Sequence, residues 1–453
     1  MYSPSLSKRQ MRLLFPALLF LALIAPLARA LEKQPEAVYH ARRVALAEKL
    51  QGGVAVLFAA EEPLLDFMPY RQDSDFYYLT GWNEPGAALM ILSDAAQPHK
   101  YREVLFLPTR NLRMEKYTGV KLDAATTKAA EKAGVDEVLS MTELPAQLNK
   151  LISEDRGLAR RIWAQPNAPQ AMALAGWTAA TLGDGAGFVT RDVTQFTTQL
   201  RIVKDEGEFA LLKKASDASI AAQLAMMRAA RPGVTERAVA GKIIAKLMEE
   251  GCERPSYASI VGTGINSTTL HYSENSATLA DGDVMVVDAA GEYSMYASDI
   301  TRTVPVNGHF TARQREIYDV VLGAQRAAAA AFVAGKSTIN DAQHKDPNSL
   351  DTVAWNYIHT HGKGLHGEPL SDYWIHGLGH MVGIDVHDPA DYPAVLKPGM
   401  VFTIEPGVYI PEEKIGVRIE DVFVVGHDGK LIDLVAALPH TAEEVEAAMR
   451  ADK

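Results

Sequence analysis

The sequence predicts a chain of two domains, an α/β domain followed by an α+β domain, and two observations point to this class. The chain has 453 residues, more than one ordinary hydrophobic core accommodates. Its first half alternates short apolar runs with helical stretches, and near residue 200 this pattern gives way to a long amphipathic segment. We therefore divide the chain into residues 1–30, 31–200 and 201–453.

The overall composition is typical of a soluble globular protein, with 47% hydrophobic and 22% charged residues and no low-complexity tract or obvious internal repeat. Disordered and fibrous classes do not fit this composition. Cys252 is the only cysteine, which rules out an internal disulfide framework and a cysteine-rich zinc module.

Residues 1–30 predict a secretory signal peptide. Three basic residues within the first twelve precede an apolar run that ends at Leu27, and Ala28-Arg29-Ala30 fits the small-x-small pattern of a cleavage site. The alternative is an uncut membrane anchor, but the run is short for a full span. We expect a periplasmic or secreted protein with no stable membrane anchor, and either Met1 or Met11 as its start.

The charge balance argues against polyanionic partners. Four of the 45 Lys and Arg residues lie in residues 1–30, which leaves 41 against 56 Asp and Glu residues and a net charge of −15. A chain this acidic is repelled by phosphate backbones and by anionic lipid. We therefore expect no nucleic acid partner.

Several elements are predicted by their apolar patterns. Residues 54–58 and 87–92 predict strands and residues 124–132 a helix in the first domain. Residues 208–228 and 235–250 predict the first two helices of the second domain, the latter with Thr235 as its N-cap.

The next two predicted elements bring two aspartates together. Residues 283–287 predict a buried strand that delivers Asp288 at its carboxyl end, and residues 298–304 alternate as a second strand, so that Asp288 and Asp299 can face each other. Two carboxylates so close in a low dielectric force one to take up a proton, a penalty that a pair of divalent metals removes. The alternative is that Asp288 is a turn residue and Asp299 pairs with Arg302.

Histidines set among glycines form a third candidate segment. His376, His380 and His387 fall within a dozen residues, and the intervening glycines favour a loop or bulged strand over a helix. Imidazole is the commonest metal ligand among side chains. The alternative is a flexible loop with solvated histidines.

Two glutamates complete the candidate ligands. Glu405 and Glu420 each stand beside apolar β-branched residues in a predicted strand, where glutamate is a poor choice unless it is paired or ligating. A salt bridge such as Glu420 with Arg418 is the structural alternative. Four hard oxygen donors and one imidazole are typical of a site for two hydrated divalent cations and not of a thiolate zinc site. Such a pair of cations indicates a hydrolase.

The second domain resembles the pita-bread metallopeptidases, which include aminopeptidase P, prolidase and methionine aminopeptidase. The segments that carry this resemblance are residues 260–264, 270–272, 299–303, 376–387, 405–407 and 418–421. Residues 70–85 resemble the N-terminal, creatinase-like domain of bacterial aminopeptidase P, which methionine aminopeptidases lack. The resemblance therefore implies an exported Xaa-Pro aminopeptidase, which removes the first residue of a peptide whose second residue is proline.

The resemblance also implies the metal ligands. Asp288 is expected to bind one metal, Asp299 and Glu420 to bridge both, and His380 and Glu405 to complete the shell of the other. A water between the ions is then the nucleophile that attacks the carbonyl before proline. Manganese is the metal that the family favours, although Co²⁺, Fe²⁺ and Zn²⁺ accept the same donors.

The remaining roles follow from the same resemblance. Glu405 is expected to accept and pass on the proton, His271 and His387 to hold the scissile carbonyl or the tetrahedral intermediate, and His376 to lie near the proline pocket. Arg418 is expected to bind a bridging carboxylate without itself binding metal. Relatives of this kind commonly form dimers or tetramers, so we expect a homo-oligomer.

Two other functions are compatible with this resemblance. Prolidase, which cuts only Xaa-Pro dipeptides, is the close alternative, and a non-catalytic peptide-binding module of the same fold is a more distant one, because such relatives lose metal ligands. Residues 339–373 depart from the bacterial aminopeptidase P pattern and predict a polar loop with extra histidines. Selection of substrate size is open for that reason.

Overall fold

The computed structural model describes residues 31–63, 70–94, 101–155, 157–166, 168–182 and 190–450. The predicted signal peptide, residues 1–30, lies outside the described residues. Within the described ranges, every helix is too short or too polar to span a membrane.

A mixed sheet of six strands forms the centre of the first domain. The strands are β1 (Val54–Phe58), β2 (Ala88–Ser93), β3 (Tyr101–Leu107), β4 (Glu137–Ser140), β5 (Ile162–Ala164) and β6 (Arg191–Asp192). They lie in the order β4-β3-β2-β1-β5-β6, with β1 and β3 antiparallel to β2 and the other neighbours parallel. The apolar runs that predicted β1 and β2 are largely buried, so both predictions are confirmed.

Helices accompany this sheet on the described part of the first domain. They are α1 (Glu36–Leu50), α2 (Ser74–Thr80), α3 (Glu115–Thr118), α4 (Ala129–Ala133), α5 (Leu144–Glu154), α6 (Pro169–Leu182) and α7 (Thr194–Arg201). The helix predicted over residues 124–132 is wrong in its start. Asp123 and Thr126 form a local side-chain turn, and Lys128 adopts a left-handed conformation at φ 59°, so helical structure begins only at Ala129.

Helix α8 (Glu206–Ala229) follows α7 after a short linker, residues 202–205. It starts two residues before the predicted start at Glu208, because Asp205 acts as N-cap and accepts a hydrogen bond from the backbone N–H of Glu208 at 2.8 Å. The domain boundary near residue 200 falls at this linker and stays a prediction. Helix α9 (Glu236–Glu249) has the predicted N-cap, since Thr235 accepts from the N–H of Ala238 at 3.2 Å.

The second domain packs further helices around short sheets. The helices are α10 (Ala312–Ala331), α11 (Leu350–His361) and α12 (Ala442–Arg450). The strands are β7 (Arg254–Pro255), β8 (Ile260–Thr263), β9 (Val284–Asp288), β10 (Gly291–Tyr293), β11 (Tyr296–Ala297), β12 (Thr301–Pro305), β13 (Val401–Ile404), β14 (Gly407–Ile410), β15 (Ile415–Arg418), β16 (Asp421–Val425) and β17 (Leu431–Asp433). The sheets have the strand orders β12-β9-β8, β11-β10-β7, β13-β16-β17 and β14-β15.

Strand β9 ends at Asp288 as predicted, but Asp299 does not lie in the neighbouring strand. The residue opposite Asp288 on β12 is Thr301, and Asp299 precedes that strand. The physical reason is that Ala297 still pairs with β10 in a different sheet. The chain must cross from one sheet to the next over residues 298–300, and Asp299 lies in that crossing.

Residues 339–373 also differ from the predicted polar loop. Helix α11 and a short 3₁₀ turn, Leu370–Tyr373, occupy much of this segment. The signal for the helix is Leu350, Ala354 and Ile358, which recur every four residues and are all buried. Polar residues on the other faces obscured this pattern.

Candidate metal centre

The five predicted ligands converge at the ends of strands and in the loops between them. Asp288 ends β9, Asp299 lies between β11 and β12, Glu405 follows β13, Glu420 lies between β15 and β16, and His380 lies in the loop before β13. The placement of both glutamates inside strands was therefore wrong. Residues beyond a strand end are free of the two-residue alternation of the pleat.

The donor atoms lie close enough to hold metal ions. Asp288, Asp299 and Glu420 each place a donor atom within 4.8 Å of the others, and so do His380, Glu405 and Glu420. His380 Nε2 is 3.3 Å from Asp299 Oδ2 and 3.4 Å from Glu405 Oε1. The structure thus brings together all five residues that the sequence singled out as ligands.

The chemistry of this donor set fits divalent cations. Burial raises the pKa of Asp288 and of Glu420, and it raises that of Glu405 to about 7. Without a cation, these carboxylates repel one another in a largely buried site. A pair of hard divalent cations would neutralise them, and oxygen-rich sets of this kind suit such ions.

His380 shows the same need for positive charge. Burial acts to lower its pKa, but the hydrogen bond that its ring N–H donates to Asp299 and the charges of Glu405 and Asp299 outweigh burial and raise the pKa to about 9. A protonated imidazole therefore balances these carboxylates when no metal is bound. Metal binding at Nε2 would displace that proton.

The structural alternatives for these residues do not hold. Arg302 pairs with Asp421 at 2.7 Å and not with Asp299. Arg418 donates to Asp288 Oδ2 at 2.7 Å and not to Glu420. The ion pairs that would have given Asp299 and Glu420 a purely structural role are thus made by other carboxylates.

The contact of Arg418 also corrects its predicted partner. It was expected behind a bridging carboxylate, but its direct partner is Asp288, expected to bind a single metal. It reaches Glu420 through Thr301, whose hydroxyl lies 3.1 Å from Arg418 Nε and donates to Glu420 Oε2 at 2.6 Å. One arginine thereby orients ligands of both expected types.

Further side chains orient the ligands, and sequence reasoning missed them. Tyr257 donates its hydroxyl to Asp288 Oδ1 at 2.5 Å. The Thr403 hydroxyl donates to Glu405 Oε1 at 3.1 Å and accepts from the backbone N–H of His380 at 3.0 Å. Thr301 and Thr403 stand two residues from a predicted ligand, which is a usable signal, whereas nothing in the local sequence marks Tyr257.

The ligands open onto a cavity of about 260 Å³. It is lined by Leu270, His271, Asp288, Asp299, Asn340, His376, Gly377, Gly379, His380, His387, Glu405, Arg418 and Glu420. Every side chain predicted to act in catalysis is in this lining. Asn340, which no motif marked, binds the loop that carries His380. Its Nδ2 donates to the Gly379 carbonyl at 2.6 Å, and its Oδ1 accepts from the Gly379 N–H at 3.2 Å.

The histidines of this cavity differ in their surroundings. His376 Nε2 lies 2.8 Å from the Tyr409 hydroxyl, and burial together with the Arg418 charge lowers the pKa of His376 to about 4. The ring centroid of His387 lies 4.0 Å from that of His380, and partial desolvation together with the His380 charge lowers the pKa of His387. Both imidazoles are therefore neutral near pH 7.

The histidines of residues 339–373 take no part in such a site. Among the described residues, no group of potential metal ligands includes His344, His359, His361 or His366. His344 instead pairs with Asp351 at 2.6 Å and stacks on Trp355. Asp421, Asp433 and His440 form another group of potential metal ligands. Asp421 in this group already accepts hydrogen bonds from the guanidinium of Arg302 and the amide of Gln325.

Comparisons with known proteins agree with this fold. Residues 39–159 match the family model described as "Aminopeptidase P, N-terminal domain", and residues 210–427 match "Metallopeptidase family M24". The Xaa-Pro aminopeptidase of Escherichia coli (strain K12) is 36% identical over 439 residues, which covers 91% of this chain and 97% of that relative.

Solved structures give the same result. A glutamate-to-alanine variant of Escherichia coli aminopeptidase P in complex with substrate superposes with a TM-score of 0.80 at 33% identity, covering 93% of this chain and 99% of that one. The zinc-substituted form of the same enzyme in complex with product also gives 0.80, at 32% identity, with 93% and 100% covered. The predicted two-domain fold class is confirmed, and the chain belongs to the Xaa-Pro aminopeptidase family of metallopeptidases.

Proposed function

We propose that this protein releases the amino-terminal residue from peptides whose second residue is proline, and that it uses two divalent cations to do so. The observation that carries the proposal is the sharing of ligands. Glu420 belongs both to the group with Asp288 and Asp299 and to the group with His380 and Glu405. Asp288, Asp299 and Glu420 would hold one ion and His380, Glu405 and Glu420 the other, with Asp299 also within 3.3 Å of His380 Nε2.

The cations, when bound, supply Lewis acidity that activates a water and stabilises negative charge on the peptide oxygen. Glu405 handles the proton. In the metal-free site burial, aided by the charge of Asp299 and opposed by that of His380, raises the pKa of Glu405 to about 7, so this carboxyl group can hold a proton. We assign to it the transfer of a proton from the attacking water to the departing proline nitrogen.

His271 and His387 orient the peptide bond. Both line the cavity that the ligands open onto. The lowered pKa of His387 keeps it neutral, so that it donates an N–H to the peptide oxygen without adding a positive charge near the metals. We assign these two imidazoles to the scissile carbonyl and to the tetrahedral intermediate that follows.

The corner formed by His376 and Tyr409 suits the proline ring. A peptide bond to proline has no N–H, so a site that cleaves it cannot rely on a hydrogen bond from that nitrogen. His376 is half-buried and neutral, with Nδ1 at the Gly377 carbonyl and Nε2 at the Tyr409 hydroxyl, so it offers no free N–H to the cavity. We therefore place the pyrrolidine ring here.

Manganese is our choice of native metal. Four of the five ligands are carboxylates, and hard oxygen donors of this kind suit Mn²⁺. Co²⁺, Fe²⁺ and Zn²⁺ accept the same set, so supply in the cell takes part in the choice. Metal analysis of protein purified without added metal tests this assignment.

Two further features belong to the proposal. Residues 1–30 support export to the periplasm or the medium, tested by fractionation of cells that express the full chain. A homo-oligomer is supported by apolar side chains that are exposed on the first domain, Leu112, Met114, Tyr117 and Val120. Light scattering measures its size.

The experiment that tests the activity compares matched peptides. The protein without residues 1–30 is given an Xaa-Pro dipeptide and Xaa-Pro-Xaa tripeptides and longer peptides, with Mn²⁺ and with a chelator. We expect release of the first residue from the longer peptides, lost with the chelator and restored by metal. A matched series with alanine in place of proline serves as the specificity control.

Each other result has a definite meaning. Cleavage confined to the dipeptide would make the protein a prolidase. Metal binding without cleavage of any peptide would favour a non-catalytic binding module. Cleavage that survives complete removal of metal would contradict the proposed mechanism.

A further inference from the structure

The loop that carries His387 is held from outside the cavity. His387 is itself exposed, and within the described part of the chain its imidazole has no hydrogen-bond partner. The residues that flank it, Asp385 and Asp388, are bound to side chains of the first domain and of the linker. Apart from its ring contact with His380, the position of His387 is therefore set by its neighbours along the chain.

Arg201, the last residue of α7, forms ion pairs with the loop on both sides of His387. Its Nη2 lies 2.6 Å from Asp385 Oδ2 and 2.5 Å from Asp388 Oδ1. Lys204 of the linker adds a contact of 2.9 Å to Asp388 Oδ2. Arg201, Lys204 and Asp388 are all buried, so these ion pairs are little screened by solvent.

The first domain supplies a second set of contacts. Ser74 donates to Asp385 Oδ1 at 2.6 Å, and Arg71 donates to the Ile384 carbonyl at 2.9 Å. Asp75, beside Ser74 on α2, holds the other arm of Arg201 at 2.8 Å. The loop is therefore bound by two separate parts of the chain, helix α2 and the linker.

Hydrogen bonds within the loop link the two aspartates closely to the backbone of His387. Asp388 N–H donates to the Met381 carbonyl at 2.9 Å, and Asp385 N–H donates to Asp388 Oδ1 at 3.2 Å. A Cβ on Gly383 would lie 2.6 Å from the Asp388 carboxyl carbon, so the turn is tightly closed. A shift of either aspartate would move the His387 backbone with it.

We propose that Ser74, Arg201 and Lys204 are positioning residues for His387, so that the first domain and the linker orient a histidine of the catalytic cavity in the same chain. This inference rests on the proposed function, in which His387 holds the peptide carbonyl. It gives the first domain a role in catalysis within one chain. Loss of a positioning contact leaves the ligands in place but lets the His387 ring depart from the productive geometry.

A double-mutant cycle tests this inference. Ser74→Ala and Lys204→Met are each made alone and combined with His387→Ala, and kcat and KM are measured on an Xaa-Pro-Xaa peptide with Mn²⁺. We expect each single variant to lower kcat about tenfold with little change in KM, and to have less than about a twofold effect when His387 is already alanine. Arg102→Gln, which breaks an exposed pair with Glu137 in the same domain, is the matched control.

Equal losses with and without His387 would overturn the inference, because the variants would then act through the fold and not through that ring. Unchanged kcat in both single variants would overturn it as well. If Lys204→Met does not fold, Ser74→Ala and Asp385→Asn carry the cycle, since both change part-exposed contacts.

A readout that does not need activity separates this inference from the proposed function. In protein with ¹³C-labelled histidine, the His387 signal is identified by its loss in His387→Ala. We expect this signal to move or broaden in Lys204→Met and to stay unchanged in Arg102→Gln. If the parent protein cleaves no Xaa-Pro peptide but this shift is seen, the proposed function fails and the positioning stands; an unchanged signal overturns the positioning.

Discussion

At the scale of single residues, the site depends on side chains that donate hydrogen bonds to the predicted ligands without being ligands themselves. Asp288 is held by Tyr257 and Arg418, Glu420 by Thr301, and Glu405 by Thr403. Such contacts fix the direction in which a carboxylate oxygen points. They decide how well the ligands bind metal, although none of them is a ligand.

Tyr257→Phe tests this dependence. It removes the hydroxyl that donates to Asp288 and keeps the ring, so we expect metal affinity and kcat/KM to fall by about 10- to 100-fold. Isothermal titration with Mn²⁺ and peptide kinetics measure both. Tyr101→Phe, which removes a hydroxyl bound to Glu103 in the first domain, should leave both unchanged. Equal effects of the two variants would contradict a specific role for Tyr257.

The raised pKa values of the ligands predict how the metal-free protein responds to pH. Folding raises the pKa of Glu405 from its ordinary 4.5 to about 7, so the folded form keeps a proton that the unfolded form loses as pH rises through this window. Folding raises the pKa of His380 from 6.5 to about 9, so its stabilising contribution is complete below pH 6.5 and lost toward pH 9. Both effects lower the free energy of unfolding as pH rises.

Urea unfolding of chelator-treated protein at about pH 5, 7 and 9 measures this effect. We expect stability to decrease along the series, and Mn²⁺ to restore it most strongly at the alkaline end, because metal binding displaces these protons. A metal-free protein that gains stability over the same range would show that the carboxylates are not forced together.

At the scale of elements, the centre is assembled from strand ends and a glycine-rich loop. A Cβ on Gly379 would lie 2.1 Å from the Thr403 carbonyl oxygen, so only glycine lets this loop lie against β13. The close approach places the His380 N–H on the Thr403 hydroxyl, which also binds Glu405. Gly379 had no assigned role in the sequence, and the structure gives it a steric one.

Gly379→Ala and Gly241→Ala form a matched pair of predictions. The first forces the loop off β13, and we expect stability to fall by about 1–3 kcal/mol and metal affinity to fall at least about tenfold. The second adds a methyl to an open position of α9, where we expect a gain of about 0.5–1 kcal/mol and unchanged activity. Unfolding by urea and metal titration distinguish the two; similar results for both would refute the steric role.

At the scale of the whole molecule, buried ion pairs join distant parts of the chain. Arg43 on α1 and Glu103 on β3 are both fully buried, with Nε 2.5 Å from Oε2, and Arg43 also donates to the carbonyls of Leu79 and Gly134. One side chain thereby ties four segments of the first domain. Arg42 reaches across to Asp205 at the start of α8 at 2.7 Å.

Arg43→Met should destabilise the protein without touching the chemistry. Glu103 would be left buried without the arginine that balances its charge, for which we expect a loss of about 3–5 kcal/mol in the free energy of unfolding. The kcat/KM of the folded variant should be unchanged. Arg102→Met breaks the exposed pair with Glu137 and should cost less than about 1 kcal/mol. A comparable loss in both would mean that burial of the Arg43 pair adds nothing.

The sequence by itself determined the fold class, the principal strands and all five candidate ligands. Apolar runs predicted β1, β2 and β9 because burial on a sheet imposes a local pattern. The ligands could be found because carboxylates and imidazoles among apolar residues and glycines conflict with burial unless they bind something. Both kinds of signal lie within a few neighbouring residues.

Only the tertiary structure decided the partners. Whether Arg418 pairs with Asp288 or Glu420, and Arg302 with Asp299 or Asp421, depends on side-chain directions after the chain has closed loops of more than a hundred residues. The contact of Arg201 with the His387 loop also spans more than a hundred residues, whereas those of Tyr257 and Asn340 span 31 and 39 and still depend on tertiary packing. Packing between distant segments sets these contacts, and no local pattern in the sequence encodes them.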